Sequence, residues 1–202
     1  MKLKTFYTPR YVIKKIFDKI YQRNNQNLPW MSKQANEILV QILDKKDTVL
    51  EFGSGRSTFF LSKLVNHVYS IEHDSLWFQK VKDKLERNNT TNVHLILKEK
   101  EEDYIDLDYI ESDTIDVLIV DGRFRGLSLQ RSLCKLRENA VIIVDNSQRY
   151  FSNNRFKTKT PIITRHSSRD SLWKDLDSEL FAKYRAITVS NDIEDTTFFF
   201  KK

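Results

Sequence analysis

The residues best suited to bind a ligand follow a short apolar run at positions 48–52. The run contains one acid, Glu51, and is followed by Gly53, Ser54 and Gly55. A Gly-x-Gly turn lets the backbone approach a ligand closely. No Gly-Lys-Ser/Thr follows, so the turn is not a phosphate-binding P-loop. A dinucleotide site would want a third glycine where Thr58 stands, whereas Glu51 suits a ligand with a positively charged end, such as an ammonium group.

A second acid, Glu72, ends the next apolar run and lies 19 residues beyond Gly53. In nucleotide-binding α/β folds, an acid at the end of the second strand accepts hydrogen bonds from a ribose. Asp74 or Ser75 is suited to cap the helix that follows. The two interpretations are compatible, with Glu72 for a ribose and Asp74 or Ser75 for the cap.

Further carboxylates, Asp121 and the pair Asp145-Asn146, follow two later apolar runs. Carboxylate and amide oxygens are the ligands that Mg²⁺ prefers. If the two runs are neighbouring strands, their ends are close enough for these side chains to share one ion. The alternative is that Asp121 is a loop acid and that Asp145-Asn146 forms a turn.

Two arginines, Arg123 and Arg125, stand close to Asp121 in the chain. Arginine stays protonated and is a poor general base, but it holds a carboxylate or phosphate with two parallel hydrogen bonds. The pair therefore suits an acidic group on a substrate or, for one of the two, an ion pair with a neighbouring acid. His166 is a further candidate base if the loop at 151–169 folds over the site.

Apolar runs and helical patterns alternate along the chain from position 48 onward. Short runs rich in Val, Ile and Leu are typical of strands buried on both faces of a parallel sheet. The alternation predicts an α/β fold with a doubly wound sheet. The last two strands are joined by only five residues and must form an antiparallel hairpin. The predicted strands are 48–52, 67–72, 92–97, 115–120, 140–145, 184–190 and 196–201. The predicted helices are Pro9–Tyr21, 33–44, 57–65, 75–88, 126–137 and 170–182, with a short helix and loop at 100–112.

Some single residues are also informative. Ser32 is suited to cap the helix 33–44. Trp30 and Cys134 are expected to be packing residues. Gly122 and Gly126 follow the fourth predicted strand, at the end of the sheet where a ligand should bind.

The net charge of +6 is concentrated at the N-terminus. Residues 1–23 contain seven bases and one acid, so the rest of the chain carries equal numbers of each. We expect a basic helix and loop at 1–29, followed by the main domain at 30–202. The basic segment suits an anionic acceptor or partner, although a solvated surface is an equal alternative. The single cysteine and the lack of a long apolar stretch predict a cytoplasmic protein without a transmembrane segment.

At three places the sequence resembles the class I S-adenosylmethionine-dependent methyltransferases. Residues 51–55 resemble their first glycine motif, 71–74 are similar to their ribose-binding segment, and 116–122 resemble their fourth strand with its terminal acid. The resemblance covers about residues 30–202, and it departs at Ser57, where many members carry glycine. It implies a Rossmann-like sheet of seven strands in the order 3-2-1-4-5-7-6, with strand 7 antiparallel and helices on both faces.

The resemblance also implies roles for individual residues. The cofactor-binding set is Glu51 for the methionine end, Gly53, Ser54 and Gly55 through their backbone, Glu72 for the ribose, His73 near the adenine, and Asp121. The catalytic candidates are Asp121 and Arg123. Asp121, Asp145 and Asn146 are similar to the Mg²⁺ set of catechol O-methyltransferase and its relatives, although these carry a lysine where this chain has arginines.

The implied function is O-methylation of a small or sugar-like acceptor, with an acidic group on the acceptor as one option. Two alternatives stay open: an NAD-type oxidoreductase, and a non-catalytic module that binds a cofactor or nucleic acid. No Asn-Pro-Pro-Tyr-type motif follows the fourth strand, so a nucleic-acid acceptor is not favoured.

Overall fold

A computed structural model describes residues 8–151, 158–160 and 171–202. They form one seven-stranded sheet with the order β3-β2-β1-β4-β5-β7-β6. Strand β7 is antiparallel to β5 and β6, and the other neighbours are parallel. The predicted strand order is confirmed. The strands are β1 Thr48–Phe52, β2 His67–Glu72, β3 Val93–Leu97, β4 Ile115–Val120, β5 Leu136–Val144, β6 Tyr184–Ser190 and β7 Asp195–Lys201.

Helices cover both faces of this sheet. In the described part of the chain the α-helices are α1 Pro9–Asn24, α2 Lys33–Ile42, α3 Arg56–Leu61, α4 Ser75–Arg87, α5 Glu101–Tyr104, α6 Arg125–Ser132 and α7 Ser171–Lys183. Short 3₁₀ turns at Leu133–Lys135 and Ser147–Arg149 flank β5. Ser32 and Asp74 accept hydrogen bonds from the third residues of α2 and α4, so both predicted caps are confirmed.

The register of the central strands aligns the loops that carry the candidate site. Phe52 of β1 pairs with Val120 of β4, and Val120 pairs with Val144 of β5. The loops that begin at Gly53, Asp121 and Asp145 therefore leave the sheet at the same level. Parallel pairing makes this the carboxyl edge, where ligands bind in open α/β sheets.

The core lies on the two faces of the sheet, because successive side chains of a strand point to opposite sides. Leu50 and Phe52 of β1 belong to a cluster that includes Leu129 of α6 and Trp173 of α7. Val49 belongs to the opposite cluster, with residues of α2 and α3. The central strands are buried on both faces, as their continuous apolar runs predict.

Three expectations are wrong in detail. The predicted helix 126–137 ends at Ser132, because the chain turns and enters β5 at Leu136, which pairs with Ile115 of β4. Trp30, expected in the core, is 55% exposed, and the Arg56 guanidinium lies 4.9 Å from the centre of its ring. Cys134, expected as a packing residue, is exposed.

Helix α1 packs on the body through its polar face. Gln22 is its only buried residue, and the Gln22 amide donates to the Met31 carbonyl at 2.8 Å. Asp18 accepts a hydrogen bond from Asn191 at 3.0 Å, and Arg10 pairs with Asp192 at 2.8 Å. The apolar face of α1 is left on the outside. No helix in the described ranges is both long and apolar enough to cross a bilayer.

Candidate functional site

The site is built around a close backbone contact between the loops after β1 and β4. Gly53 has φ +92°, and a Cβ atom placed on it would lie 2.8 Å from the Gly122 nitrogen. Only glycine fits there, because both the left-handed backbone and the missing side chain are required. The Gly53 amide donates to the Ile71 carbonyl at 2.8 Å, which ties the β2 loop to the same point.

Glu51 is fully buried directly before this contact. Its Oε2 atom accepts hydrogen bonds from Thr58 Oγ1 at 2.5 Å and from Ser70 Oγ at 2.7 Å. The other oxygen, Oε1, is buried and makes no hydrogen bond within the described chain. Burial raises the pKa of Glu51 to about 7, against the hydroxyl hydrogen bonds, which lower it. Glu51 is therefore an acceptor held in place, with one buried oxygen that no hydrogen bond from the described residues engages.

Glu72 is held by backbone amides at the end of β2. Its Oε2 accepts from the Ser54 amide at 3.0 Å, and its Oε1 accepts from the amides of His73 and Asp74 at 2.8 Å. The His73 ring lies beside it, with Nδ1 2.8 Å from Oε1. The two amides on Oε1 occupy both of its lone pairs, whereas Oε2 has one lone pair left, so Glu72 is a preoriented acceptor at the rim of the glycine loop.

Trp77 closes the outer side of this loop. Its indole N–H donates to the Ser54 carbonyl at 2.7 Å, and a Cβ on Gly55 would lie 3.7 Å from the same nitrogen. The residue stands in the first turn of α4, where the Asp74 cap fixes its backbone at 2.8 Å. Trp77 is not among the residues predicted from the sequence. The signal was its place three residues after the capping acid.

Tyr104 packs against Gly122, on the side of the glycine contact opposite to Trp77. The side chain is fully buried at the end of α5, and a Cβ on Gly122 would overlap its hydroxyl. That hydroxyl makes no hydrogen bond within the described chain, and burial, followed by the Glu72 charge, raises the pKa of Tyr104. Its ring packs edge-on against His73 and Phe124. No local signal pointed to Tyr104, because 100–112 is an irregular acidic stretch.

Arg125 joins the loops after β4 and β5. Its Nε donates to the Gly122 carbonyl at 3.0 Å and its Nη2 to Asp121 Oδ1 at 2.7 Å. The guanidinium also bonds the backbone carbonyls of Asp121 and Asp145. The side chain is 9% exposed and lies over the Tyr150 ring. Of the two alternatives for the arginines, Arg125 takes the ion pair.

Asp145 and Asn146 make their side-chain hydrogen bonds to β7 and the loop before it, whereas Asp121 bonds Arg125. The Asp145 carboxylate is buried and accepts from Thr196 Oγ1 at 2.6 Å, while the Asn146 amide donates to Glu194 at 3.1 Å. Burial, and then the Asp121 charge, raises the pKa of Asp145. No group of three or more His, Cys, Asp or Glu side chains in the described ranges is placed to hold a metal ion.

The remaining candidates lie at the mouth of the site or beyond the described residues. The Asp121 side chain is 40% exposed, and Arg123 is exposed with its guanidinium 5.2 Å from the centre of the Phe124 ring. His166 lies outside the described residues. Gly126, placed by the sequence at a ligand-binding end of the sheet, instead packs against Trp173, whose Nε1 would lie 2.9 Å from an added Cβ.

A separate groove of about 720 Å³ lies at the opposite, amino edge of the sheet. It is lined by Asp47, Asp116 and Arg137 among others, and Arg137 pairs with Asp116 at 2.8 Å. The chemistry described above is at the carboxyl edge. The structure thus brings Glu51, Glu72 and Asp121 to one edge with the glycine loop and leaves this groove apart from them.

No protein-family model and no curated protein matches the chain. Solved structures, by contrast, do match the chain. A protein assigned as a methyltransferase, from Streptococcus mutans in complex with SAH, has a TM-score of 0.59 and 17% identity over 84% of this chain and 97% of that one. An rRNA methylase from Streptococcus thermophilus gives 0.57 and 16% over 83% and 94%. A protein assigned as a caffeoyl-CoA O-methyltransferase, from Staphylococcus aureus, gives 0.61 and 15% over 95% and 100%. The chain has the class I methyltransferase fold.

The glycine contact yields a paired prediction. Gly53→Ala forces a Cβ against the Gly122 backbone at positive φ, so we expect a loss of about 1–3 kcal/mol in the free energy of unfolding. Gly55→Ala meets only ordinary contacts and should change stability by less than about 0.5 kcal/mol. Urea denaturation of both variants checks this. Equal stability of the two would contradict the role given to the contact.

Glu51 should make stability depend on pH. Its pKa rises from 4.5 to about 7 on folding, so the folded state binds the proton more tightly. The resulting stability is present below about pH 4.5 and is lost as pH rises through about 7. Glu51→Gln should therefore be more stable than wild type by roughly 1–3 kcal/mol at about pH 8, and equal to it near pH 4.

Urea titrations at the two pH values measure the difference. Glu37→Gln, at an exposed position of α2, is the control and should show no such dependence. A Glu51→Gln variant that is less stable than wild type at the higher pH would refute the interpretation.

Proposed function

We propose that this protein is a methyltransferase that binds S-adenosylmethionine at the loop after β1. The observation that carries the proposal is Glu51, a buried carboxylate with an unbonded oxygen directly before the Gly53–Gly122 contact. A charged ammonium is the donor that best compensates such an acceptor. The methionine end of the cofactor carries one. The structure with bound SAH that shares this fold is consistent with the proposal.

The other residues at this edge fit the rest of the cofactor. Gly53, Ser54 and Gly55 would line it with backbone, because no side chain fills the space at the two glycines. Glu72 would accept from the ribose with the one Oε2 lone pair that its three amide hydrogen bonds leave. His73 would lie near the adenine, and Asp121 would face the cofactor from the β4 loop. When bound, S-adenosylmethionine supplies a methyl group that is already activated by its positively charged sulfur.

For the acceptor we propose a hydroxyl on a small or sugar-like molecule. In the described chain only Arg125 bonds the Asp121 carboxylate, through Oδ1, so Oδ2 is left to accept the proton of the reacting hydroxyl. Arg123 is exposed two residues away and suits an acidic group on the same acceptor. Catalysis would then consist of positioning of the acceptor by Arg123 and proton removal by Asp121. A reducing, cytoplasmic location belongs to the same proposal.

The residues proposed for Mg²⁺ do not fit a metal. Arg125 already places a cation between the loops that carry Asp121 and Asp145. Thr196 donates to Oδ1 of Asp145, and the Asn146 NH₂ group donates to Glu194, so both side chains are oriented toward β7 and the loop before it. We therefore assign no step to a metal at Asp121, Asp145 and Asn146, and we propose that Arg125 balances their charge.

An NAD-type oxidoreductase is less consistent with the same geometry. Thr58, at the position of the third glycine of a dinucleotide site, donates to Glu51 and accepts from the Gly55 amide at 2.9 Å. A carboxylate held here would repel a pyrophosphate. The third possibility is a module that binds a cofactor or nucleic acid without catalysis. Such a module would transfer no methyl group to any acceptor in a screen.

Calorimetry tests the cofactor assignment. We expect wild type to bind S-adenosylmethionine and not NAD, and Glu72→Ala to weaken binding by about 1–3 kcal/mol, because charge-assisted hydrogen bonds are lost. Glu86→Ala, an exposed acid on α4, is the matched control and should bind normally. Binding of NAD without S-adenosylmethionine would end the proposal, and unchanged affinity in Glu72→Ala would remove Glu72 from the site.

A second experiment separates arginine from metal at the β4 loop. With an acceptor found by screening hydroxylated and acidic sugars for transfer of labelled methyl, activity should survive excess chelator. Arg123→Ala should lower kcat/KM by about tenfold or more, since a charged contact is worth over 1.4 kcal/mol. Arg131→Ala, exposed on α6, serves as the control. Loss of activity in chelator and its return with Mg²⁺ would reinstate the metal.

A further inference from the structure

Helix α1 presents an apolar stripe to the outside of the molecule. The stripe consists of Val12, Ile13, Ile16, Phe17 and Ile20. At 3.6 residues per turn these positions fall on one face, within an arc of about 140°. Their exposure ranges from 46% for Val12 to 64% for Phe17. A surface helix normally packs such a stripe against the core. A stripe that faces outward therefore indicates an interaction surface.

The opposite face of α1 is polar and is already in use. Asp18, Tyr21 and Gln22 make hydrogen bonds to the body of the protein. Arg56, which follows the glycine loop, donates to the Gln22 carbonyl at 3.1 Å. The helix cannot bury its apolar stripe against the body without breaking these contacts. The orientation is therefore fixed by hydrogen bonds at several points along the helix.

Bases border the stripe on both sides. Lys15, Lys19 and Arg23 follow one border. Arg10 and Lys14 follow the other, where both also pair with Asp192, at 2.8 and 3.9 Å. Long basic side chains can keep their charges in a polar layer while their stems cover apolar surface. The segment 1–23 holds the whole net charge of the protein, and the remaining chain is neutral. An apolar face bordered by Lys and Arg is the pattern of helices that lie in the plane of a membrane surface.

We propose that α1 docks this protein onto a bilayer that contains anionic lipids. The stripe enters the region between headgroups and acyl chains, and the bordering bases contact the negative headgroups. This inference goes beyond the methyltransferase proposal and does not depend on it.

Two other partners for the stripe, a second copy of this chain and single-stranded nucleic acid, fit less well. In a symmetric pair of α1 helices, each basic border would lie close to a basic border of the second copy, and like charges across an interface are unfavourable. Single-stranded nucleic acid is bound by bases together with aromatic side chains that stack on its rings. The stripe contains one aromatic residue and four aliphatic ones. A lipid surface is the partner that uses both the aliphatic stripe and the charge.

Docking through α1 would also determine where the candidate site lies relative to the bilayer. Asn191 and Asp192, which hold α1, belong to the loop between β6 and β7, and Glu194 in that loop bonds Asn146 after β5. Arg56 links the other end of α1 to the glycine loop. The helix is thus attached beside the carboxyl edge of the sheet. A protein held by its stripe keeps this edge near the lipid surface, so an acceptor carried by the membrane would be within reach.

Sedimentation with vesicles tests the proposal on the full chain. The protein should sediment with phosphatidylcholine vesicles that contain phosphatidylglycerol, and far less with phosphatidylcholine alone. Binding should fall when the salt concentration is raised. The double variant Ile16→Glu with Phe17→Glu should lose binding by about tenfold or more, as should Lys15→Glu with Lys19→Glu. Val40→Glu, an exposed apolar position on α2, should bind as wild type does.

Circular dichroism and melting temperature confirm that each variant is folded, which is expected because the changed side chains are exposed. If wild type does not bind the anionic vesicles, or if both double variants bind them normally, the proposal is wrong. A dimer in solution that the Ile16→Glu, Phe17→Glu variant dissociates would make a second copy the occupant. Binding of single-stranded RNA that the same variant loses would make RNA the occupant. Either result overturns the lipid assignment.

Discussion

The approach of Gly53 to Gly122 is the constraint on which the candidate site depends. It brings the loops after β1 and β4 into backbone contact, and a single methyl group on either residue would separate them. The paired register of Phe52 with Val120 sets the height at which the two loops meet. Glu51 then lies just beneath the contact, and Tyr104 and Trp77 close it from two sides. Each of these side chains depends on a backbone distance that only glycine permits.

Buried charge at this edge is balanced unequally. Within the described residues Glu51 is paired with hydroxyl groups rather than with a cation, and burial raises its pKa to about 7. Asp121, by contrast, has the Arg125 guanidinium, which also holds backbone carbonyls of two loops. Glu51 is thus left without a positively charged partner, whereas the charge of Asp121 is already balanced by Arg125. This difference is the physical reason for placing the cofactor's ammonium at Glu51 and for giving the metal no role at Asp121.

The sequence predicted those parts of the structure that depend on local patterns. Buried apolar runs predicted the strands, Ser32 and Asp74 predicted helix starts, and the resemblance at 51–55 predicted the strand order. Contacts between distant segments could not be predicted in this way. Tyr104 comes from an irregular stretch and Trp77 from a helix, and both reach the glycine loop only through tertiary packing. Periodicity in α1 showed which residues share a face, but not which face meets the body.

The hydrogen bonds of Arg125 to Asp121, Gly122 and Asp145 form what we call the Arg125 clamp. It divides the carboxyl edge into a fixed half and an open half. Arginine does not lose its proton, so the clamp holds at any pH at which the protein is folded. Phe124 and Asn146, both with left-handed backbone, stand next to the clamped carbonyls, and Arg123 projects beyond them. Substitutions at Arg123 or in the outer part of these loops leave the clamp and the glycine contact intact. On this scaffold, the outer loop residues can therefore vary during evolution while the Gly53–Gly122 contact and the Arg125 hydrogen bonds are kept.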